Sequence, residues 1–152
     1  MKVLMVCLGN ICRSPLADGL LRKKVKEQNL NIEVDSAGTS GIHAGEAPDV
    51  RMQKVSADFK TPINNLKSRK FIVDDFDNFD LILAMDKSNF LNVRQMARTQ
   101  EEKEKVHLIL EFAENERLKE IPDPYYGGEQ GFIDVYNLLD EATDNVLSKI
   151  NI

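Results

Sequence analysis

Residues 3–16 read VLMVCLGNICRSPL, and this stretch indicates the fold class. The apolar run Val3–Val6 predicts a buried strand. Ser14 and Pro15 predict the start of a helix, because serine is a good N-cap and proline fits the first helical position. The loop between them therefore joins the end of a strand to the start of a helix, where α/β sheets usually bind their ligands.

The same alternation continues along the chain. Apolar strands that alternate with amphipathic helices are typical of a parallel sheet covered on both faces. We therefore predict an α/β fold with a four-stranded parallel sheet, in a single three-layer domain over residues 1–152. Further strands are predicted at Ile32–Val34, Leu81–Met85 and Val106–Phe112. Helices are predicted at Leu16–Val25, Asp49–Ala57 and Phe132–Ile150, and a further one in a segment capped by Ser88. The segments predicted to be irregular or exposed are Ser36–Pro48, Thr99–Lys105 and Glu114–Gly131.

Composition excludes several classes of protein. The 152 residues carry 20 Lys and Arg against 25 Asp and Glu, and this negative balance disfavours a duplex nucleic-acid binder. Two cysteines are too few for a disulfide scaffold, and the run Val3–Leu8 is far too short for a signal core or a membrane span. We expect a cytoplasmic protein, in a reducing compartment, with neither a nucleic acid nor a membrane as its partner.

The loop Cys7–Ser14 has the composition of an anion cradle beside a nucleophile. Gly9 and Asn10 tolerate the positive φ that a tight cradle requires. Backbone N–H groups and the positive end of the following helix attract an anion and favour the thiolate of Cys7. The planar fork of Arg13 can hold two oxygens of a phosphate, and Ser14 can donate a hydrogen bond to the sulfur. An inert cysteine in a tight turn is the structural alternative.

Attack of a thiolate on a phosphate ester also requires an acid for the leaving oxygen. Asp123, between Pro122 and Pro124, is the best candidate, although an ordinary Asp-Pro turn has the same pattern. The adjacent Tyr125 and Tyr126 can form the wall of a cleft for an aromatic group. The sequence thus predicts a cysteine-dependent phosphoryl-transfer site assembled from two distant segments.

Cys7–Pro15 and Asp123–Tyr126 together resemble the catalytic motifs of the low molecular weight protein tyrosine phosphatases, and the similarity extends over nearly the whole chain. Asp35–Ser40 and Ala84–Asp86 resemble two further loops of that family. The resemblance implies a strand order of 2-1-3-4. It also implies phosphotyrosine hydrolysis through a phosphocysteine intermediate, with no metal or organic cofactor and with phosphotyrosine-containing proteins as partners.

The resemblance further assigns roles by position. Cys7 is the implied nucleophile, Arg13 the phosphate clamp and Asp123 the general acid and then the base. Asn10, Ser14 and Ser36 match residues that hold the loop in its strained shape, and Gly9 lies within that loop. The implied walls of the aromatic slot are Leu8, Ile11, Ile42 and Tyr125, and we add Tyr126 to the predicted slot because it is the aromatic neighbour of Tyr125. Cys12 matches a second cysteine that forms a reversible disulfide with Cys7.

Two departures from the family pattern concern the surroundings of the site. The family often has a histidine that supports the loop, in the stretch that corresponds to Pro62–Leu66, whereas this chain has none and offers Asn65 instead. Many members have an aromatic residue where this chain has Ile42. These departures affect the preference for substrates at the rim, not the reaction.

Four alternatives to tyrosine phosphatase activity rank lower on the sequence. Arsenate reductases share the fold but need further cysteines, and none follows Cys12. Arginine phosphatases resemble the loop with threonine in place of Ile11, whose branched apolar side chain favours an aryl ester. A non-catalytic phosphate-binding module would leave Cys7, Ser14 and Asp123 without use. His43 and His107, the two histidines, lie at no ligand spacing, so no metal site is predicted.

Overall fold

The computed structural model describes residues 1–113 and 119–150. Four strands, β1 (Lys2–Cys7), β2 (Glu33–Gly38), β3 (Leu81–Ala84) and β4 (Val106–Leu108), form one sheet. The helices are α1 (Arg13–Glu27), α2 (Val50–Asp58), α3 (Asp75–Asn78), α4 (Lys87–Gln95), α5 (Gln100–Glu104) and α6 (Glu129–Ile150), with a 3₁₀ helix at Ile109–Phe112. No helix within the described ranges is long and apolar enough to cross a membrane.

The sheet is parallel throughout and has the order β2-β1-β3-β4, which confirms the predicted α/β fold and topology. Val3 of β1 is paired with Val34 of β2 on one side and with Leu81 of β3 on the other. β1 is therefore interior, and its carboxyl end opens at the centre of the sheet edge. In a parallel sheet of this kind a ligand binds at that edge, where the strand order reverses.

Each face of the sheet is covered by helices because side chains alternate along a strand. Val3, Met5 and Cys7 contribute to the core that α1 and α6 cover, and Leu4 and Val6 contribute to a second core with Phe71, Phe76 and Val93. The residues of β1 from Val3 to Val6 have no exposed surface. This double burial explains why the strand is an unbroken apolar run.

All four strands differ in length from the predicted ones, β1 and β3 by one or two residues and β2 and β4 by more. β2 extends three residues further into the segment predicted as a loop, because it is paired with β1 as far as Cys7 and Gly38. β4 ends at Leu108, and the rest of the predicted strand is the 3₁₀ helix. Glu111 accepts a hydrogen bond from the backbone N–H of Leu108, which favours this turn over extended backbone.

Helix starts also differ from the predictions. α1 begins at Arg13 with Cys12 as its N-cap residue, since the Ser14 hydroxyl is used elsewhere. Pro15 is then the third helical residue, still within the first turn, where a missing N–H costs no hydrogen bond. α4 is capped by Asp86, not Ser88, and Asp86 accepts a hydrogen bond from the N–H of Asn89.

The remaining corrections concern segments predicted as irregular. Thr99–Lys105 contains α5, which the Thr99 side chain caps, and Glu102 in that helix is buried beside Arg98. α6 begins at Glu129, three residues before the predicted Phe132. The stretch 59–79, for which the sequence pattern gives no clear prediction, contains α3. Of the predicted loop Glu114–Gly131, residues 114–118 lie outside the described residues.

Candidate active site

The loop between β1 and α1 makes a tight turn at the carboxyl end of the sheet. Asn10 has φ 56°, in the left-handed region that asparagine and glycine adopt most readily. Gly9 packs against His43, whose Cδ2 would lie 3.0 Å from any added Cβ. No side chain caps α1, so the N–H groups of its first turn remain available to an anion.

The sulfur of Cys7 lies at the end of β1 and has a hydroxyl partner. Cys7 Sγ is 3.0 Å from Ser14 Oγ, and Asn10 Nδ2 donates to that oxygen at 2.7 Å. The Ser14 hydrogen can then point to the sulfur, because the other acceptor in reach, the carbonyl of Ala37, is more distant at 3.4 Å. A hydroxyl that donates to sulfur stabilises the thiolate over the thiol.

Arg13 is buried and is held by groups from two other parts of the chain. Its Nη1 donates to Asp86 Oδ2 at 2.7 Å and to the carbonyl of Ile121 at 3.0 Å, so both Nη1 hydrogens are used. Nη2 lies 3.7 Å from Asp123 Oδ2. The neighbouring Cys7 and Asp86 raise the pKa of Arg13 against the opposing effect of burial. The guanidinium is therefore charged and oriented, with Nε and Nη2 left for a ligand.

Asp123 lies on the segment before α6, and its side chain is partly exposed. Its Oδ1 accepts a hydrogen bond from the N–H of Tyr125 at 3.0 Å, which is an Asx turn. The turn and the flanking Pro122 and Pro124 restrict the carboxyl group, while Oδ2 faces Arg13. The two interpretations of Asp123, an ordinary Asp-Pro turn and a general acid, are therefore compatible, because the turn itself holds the carboxyl group toward Arg13.

These groups meet in one pocket with a volume of about 210 Å³. It contains the nucleophile, clamp and acid residues predicted from the sequence, Cys7, Arg13 and Asp123. It also contains Ser40, the last residue of the motif Asp35–Ser40, to which the sequence assigned no role, and His43, which no motif identified. The predicted residues that line it besides those three are Leu8, Gly9, Ile11, Cys12, Ile42, Tyr125 and Tyr126.

The rim of the pocket is apolar and largely exposed. The side chain of Ile42 is 83% exposed and that of Tyr126 is 93% exposed, so both are available to a ligand. The rings of Tyr125 and Tyr126 meet edge to face at 5.0 Å. Arg51 lies 5.3 Å from the ring centre of Tyr125, and this cation–π contact fixes the wall of the pocket.

Arg51 also connects the rim to the loop. Its guanidinium pairs with Asp49, and the N–H of Asp49 donates to the carbonyl of Ile11 at 2.8 Å. Sequence reasoning did not identify either residue. Asp49 and Arg51 are only two residues apart at the start of α2. Such a local pair does not indicate in the sequence that Asp49 contacts Ile11, which lies 38 residues earlier.

The support of the loop comes from Ser68 and Arg69. Ser68 Oγ donates to the carbonyl of Gly9 at 2.9 Å, and the N–H of Arg69 donates to Asn10 Oδ1 at 3.0 Å. Asn65, the residue expected to replace the missing histidine, is exposed on the surface, and the hydrogen bonds described for the loop do not include it. The prediction for Asn65 is therefore wrong, because the chain passes the loop three residues later.

Two further predicted support residues behave differently from Asn10 and Ser14. Ser36 is buried on β2 near Asp18, whose pKa is raised by burial, and the Ser36 hydroxyl opposes that rise to a small extent. Its role in holding the loop stays a prediction. Cys12 is buried, and burial followed by the negative charge of Asp49 raises the pKa of its thiol. Cys12 is therefore a neutral thiol at physiological pH.

The described residues, 1–113 and 119–150, contain no group of three or more His, Cys, Asp or Glu side chains that could hold a metal ion.

The fold and the site define an α/β protein with an anion-binding loop at the carboxyl end of its interior strand. Comparison with known proteins identifies the class more narrowly. The sequence profile described as "Low molecular weight phosphotyrosine protein phosphatase" matches residues 2–152. The chain belongs to this family of phosphatases.

Individual relatives agree with this assignment. A low molecular weight phosphotyrosine protein phosphatase of Schizosaccharomyces pombe is 41% identical over 152 residues, 98% of this chain and 96% of that protein. The crystal structure of a protein tyrosine phosphatase from Entamoeba histolytica has a TM-score of 0.94 at 38% identity, covering 99% of this chain and 97% of that one. A Drosophila arginine phosphatase has a TM-score of 0.91 at 35% identity, covering 97% and 96%.

Proposed function

We propose that this protein hydrolyses phosphotyrosine in proteins by a two-step reaction through a phosphocysteine. The observation that carries the proposal is the meeting of Cys7, Arg13 and Asp123, from three separate elements, in one pocket. A loop that only bound phosphate would need neither the Cys7 sulfur with its Ser14 hydroxyl partner nor the Asp123 carboxyl group beside it. Together these groups supply a nucleophile, a charge clamp and an acid.

In the first step the Cys7 thiolate attacks phosphorus, and the bond between phosphorus and the phenolic oxygen breaks. Asp123 transfers its proton to that oxygen, so tyrosine leaves as a neutral phenol. Nε and Nη2 of Arg13 and the N–H groups of the loop bind the three equatorial oxygens, where negative charge is spread in the transition state. Asp86 accepts a hydrogen bond from Nη1 and thereby fixes the plane of the Arg13 guanidinium.

In the second step a water molecule attacks the phosphocysteine. Asp123, now a carboxylate, removes a proton from the water as it attacks, and the bond between sulfur and phosphorus breaks. The Cys7 thiolate leaves with the hydrogen bond from Ser14 already in place. Inorganic phosphate is released and Asp123 is again protonated, so the cycle needs no metal and no organic cofactor.

The walls of the pocket favour an aryl ester. Ile11 and Tyr125 flank the loop, and Ile42 and Tyr126 extend the apolar surface at the rim. An aromatic ring can pack between such walls with its phosphate on the loop. Cys12 lines the same pocket, and we include in the proposal a reversible disulfide: hydrogen peroxide oxidises Cys7 to a sulfenic acid, which condenses with the Cys12 thiol and releases water.

Phosphoarginine is the second candidate substrate, because one structure of the same fold and similar identity is an arginine phosphatase. The two substrates differ in the bond that breaks, P–O against P–N, and in the shape of the group beside it. The branched apolar side chain of Ile11 suits the flat face of a phenol better than a polar guanidinium. We therefore place the arginine substrate second.

The decisive experiment is phosphate release from phosphotyrosine peptides and from phosphoarginine without added metal. Wild-type protein is expected to turn over the aryl substrate faster, Cys7→Ser to have no turnover, and Cys12→Ser to keep most of it under reducing conditions. Turnover in Cys7→Ser would contradict the nucleophile. Faster release from phosphoarginine would reverse the order of the two substrates.

A further inference from the structure

A second concave site lies on α1, away from the phosphate loop. It is a pocket of about 320 Å³ between the second half of the helix and residues 60–66. Four cationic side chains line it, Arg22, Lys23, Lys26 and Lys60, and its described lining includes no acidic residue. Within a protein of net charge −5, this set of cations, which we call the basic pocket, has the opposite sign to the whole molecule.

The floor of the basic pocket is rigid. The segment after α2 lies directly on α1, since a Cβ added to Gly19 would be 2.5 Å from Cγ2 of Ile63. Thr61 Oγ1 is hydrogen-bonded to the hydroxyl of Tyr136 on α6 at 2.7 Å, and Thr61 and Ile63 are buried. Tertiary packing therefore forms the concave surface, and a ligand would not have to create it.

The charges in the basic pocket are only partly compensated. Arg22 pairs with the buried Asp18. The Lys23 ammonium donates to the carbonyl of Lys60 at 3.1 Å and has a long contact of 3.9 Å with the exposed Glu27. Among the residues that the structure describes, neither Lys26 nor Lys60 has a carboxylate within 4 Å. Two exposed ammonium groups are thus free to bind an anion.

Local backbone does not oppose an anion at this end of the helix. The carbonyls of the last turn of α1 would repel a phosphate if they were free. Lys24, Val25 and Lys26 instead accept hydrogen bonds from the N–H groups of residues 28–30. Lys60 has φ 62°, which places a lysine at a left-handed position where glycine would be less strained.

The arrangement favours linked phosphates over a single one. Arg22 and Lys26 are one turn apart on α1, so the cations on the helix extend over about 6 Å, and Lys60 lines the same pocket from the segment after α2. Lysine and arginine bind phosphate oxygens through strong charge-assisted hydrogen bonds. Apolar contact is available from Pro62 and Leu66, and the volume is in the range of small-molecule sites, about 300–1,000 Å³.

We propose that the basic pocket is a binding site for a small anion with two or more linked phosphate groups, such as a nucleoside diphosphate. The site is distinct from the phosphate loop, because Arg13 and Lys26 are separated by about 20 Å along the helix. The proposal does not depend on the proposed function, since it concerns different residues and binding alone.

The test is an NMR titration of the ¹⁵N-labelled protein with inorganic tripolyphosphate, with ADP and with adenosine. Both polyphosphates are expected to cause saturable shifts of the Gly19 and Leu66 amides, separate from any shift of Gly9 in the phosphate loop. Adenosine is expected to cause none. Equal affinity for the two polyphosphates would assign the site to linked phosphates in general, and tighter binding of ADP would assign it to nucleotides.

A charge-matched pair of variants makes the test specific. Lys26→Gln/Lys60→Gly is expected to weaken tripolyphosphate binding at the basic pocket at least about tenfold, from the loss of two charge-assisted contacts. Lys60→Gly also removes a strained φ, so this variant should remain folded. Lys103→Gln/Lys149→Gln removes the same charge from exposed positions on α5 and α6 and should change affinity less than twofold.

Three results would overturn the proposal. The first is the absence of a saturable shift at Gly19 and Leu66 with either polyphosphate. The second is an equal loss of affinity in the two variants, which would show attraction by overall charge alone. The third is a shift of the same amides by adenosine without phosphate.

Discussion

Arg13 Nη1 donates a 2.7 Å hydrogen bond to Oδ2 of Asp86, and this contact between the start of α1 and the N-cap of α4 orients the guanidinium that we propose binds phosphate. Arg13 is almost fully buried, so its charge needs a fixed partner. The same carboxylate caps α4 through its other oxygen. One side chain thereby joins the phosphate loop to a helix on the other face of the sheet.

Arg13→Lys is expected to lower kcat/KM for an aryl phosphate by about 10²–10³-fold, the usual effect of losing a transition-state donor. A lysine cannot reach Asp86 and still present two donors to the phosphate. Asp86→Asn is the comparison variant: its one amide oxygen can still accept from Arg13 Nη1, while the capping bond to the N–H of Asn89 is lost, so the guanidinium keeps both donors for the phosphate. Its expected loss is about tenfold or less, and an equal loss in the two variants would contradict the bidentate clamp.

Asp123→Asn is expected to slow hydrolysis of aryl phosphates with poor leaving groups by about 10²–10⁴-fold, since an amide cannot protonate the phenolate. Substrates with good leaving groups, which need no proton, should be affected much less. Rates for a series of substituted phenyl phosphates measure the difference. Glu120→Gln, a nearby carboxylate that accepts from the N–H of Lys87, should change all rates equally and little.

Ser68→Ala removes the hydrogen bond to the carbonyl of Gly9, and we expect kcat/KM to fall about 2- to 10-fold with weaker inhibition by inorganic phosphate. Ser68→Thr keeps the hydroxyl and should restore both. Ser56→Ala is the matched control, because Ser56 is also buried but its hydroxyl has no partner among the described residues. Loss of stability without a change in phosphate affinity would make Ser68 a purely structural residue.

Cys12→Ser is expected to abolish the recovery of activity by a thiol after brief exposure to peroxide. In the wild type the neutral Cys12 thiol would have to lose its proton to form the disulfide, so trapping should become faster as pH rises. Activity assays after peroxide at several pH values, followed by reductant, measure this. Equal recovery in the wild type and the variant would remove Cys12 from the proposed role.

Asp18→Asn should make stability less dependent on pH. Burial raises the pKa of Asp18 from 3.8 to about 6, and its Oδ2 is buried without a hydrogen-bond partner. A carboxyl whose pKa is raised in the folded state costs stability as pH rises from about 4 to 6, here by about 3 kcal/mol. In urea unfolding, the free energy of unfolding of Asp18→Asn should increase relative to that of the wild type over this pH range. Above the range the difference between the two proteins should stay constant.

The Arg22 cation provides a second variant for the same measurement. Arg22 donates to Asp18 Oδ1 and lowers the pKa of that carboxyl against the effect of burial. Arg22→Gln should therefore leave the start of the stability loss near pH 4 and extend the loss to higher pH. A profile of unfolding free energy against pH that is identical in the wild type and Asp18→Asn would show that this carboxyl does not titrate with folding in that range.

The proposed catalytic groups could be identified from the sequence because their chemistry is local. The residues from Cys7 to Ser14 are contiguous, and a strand before them and a helix after them fix the loop between. The Asx turn at Asp123 likewise depends on its two neighbouring prolines and on the N–H of Tyr125. Neighbours along the chain determine such structures, so a short pattern is sufficient to predict them.

Boundaries of elements were less predictable than their existence. β2 extends to Gly38 because β1 is paired with it along its whole length, which no pattern within β2 indicates. Ser14 has the typical residue type of an N-cap, but its hydroxyl is bonded to Asn10 and to the Cys7 sulfur instead. In each case a tertiary contact overrides a local preference.

The sequence by itself determined the sheet, the position of the anion-binding loop and the cysteine that we propose as nucleophile, because apolar runs and turn residues act over a few neighbours. Only the tertiary structure decided which groups hold that loop and its clamp. Asp86 is 73 residues from Arg13 along the chain, and Ser68 is 59 residues from Gly9. A polar side chain gives no sign in the sequence of a partner so distant, since the folded sheet alone brings the two together.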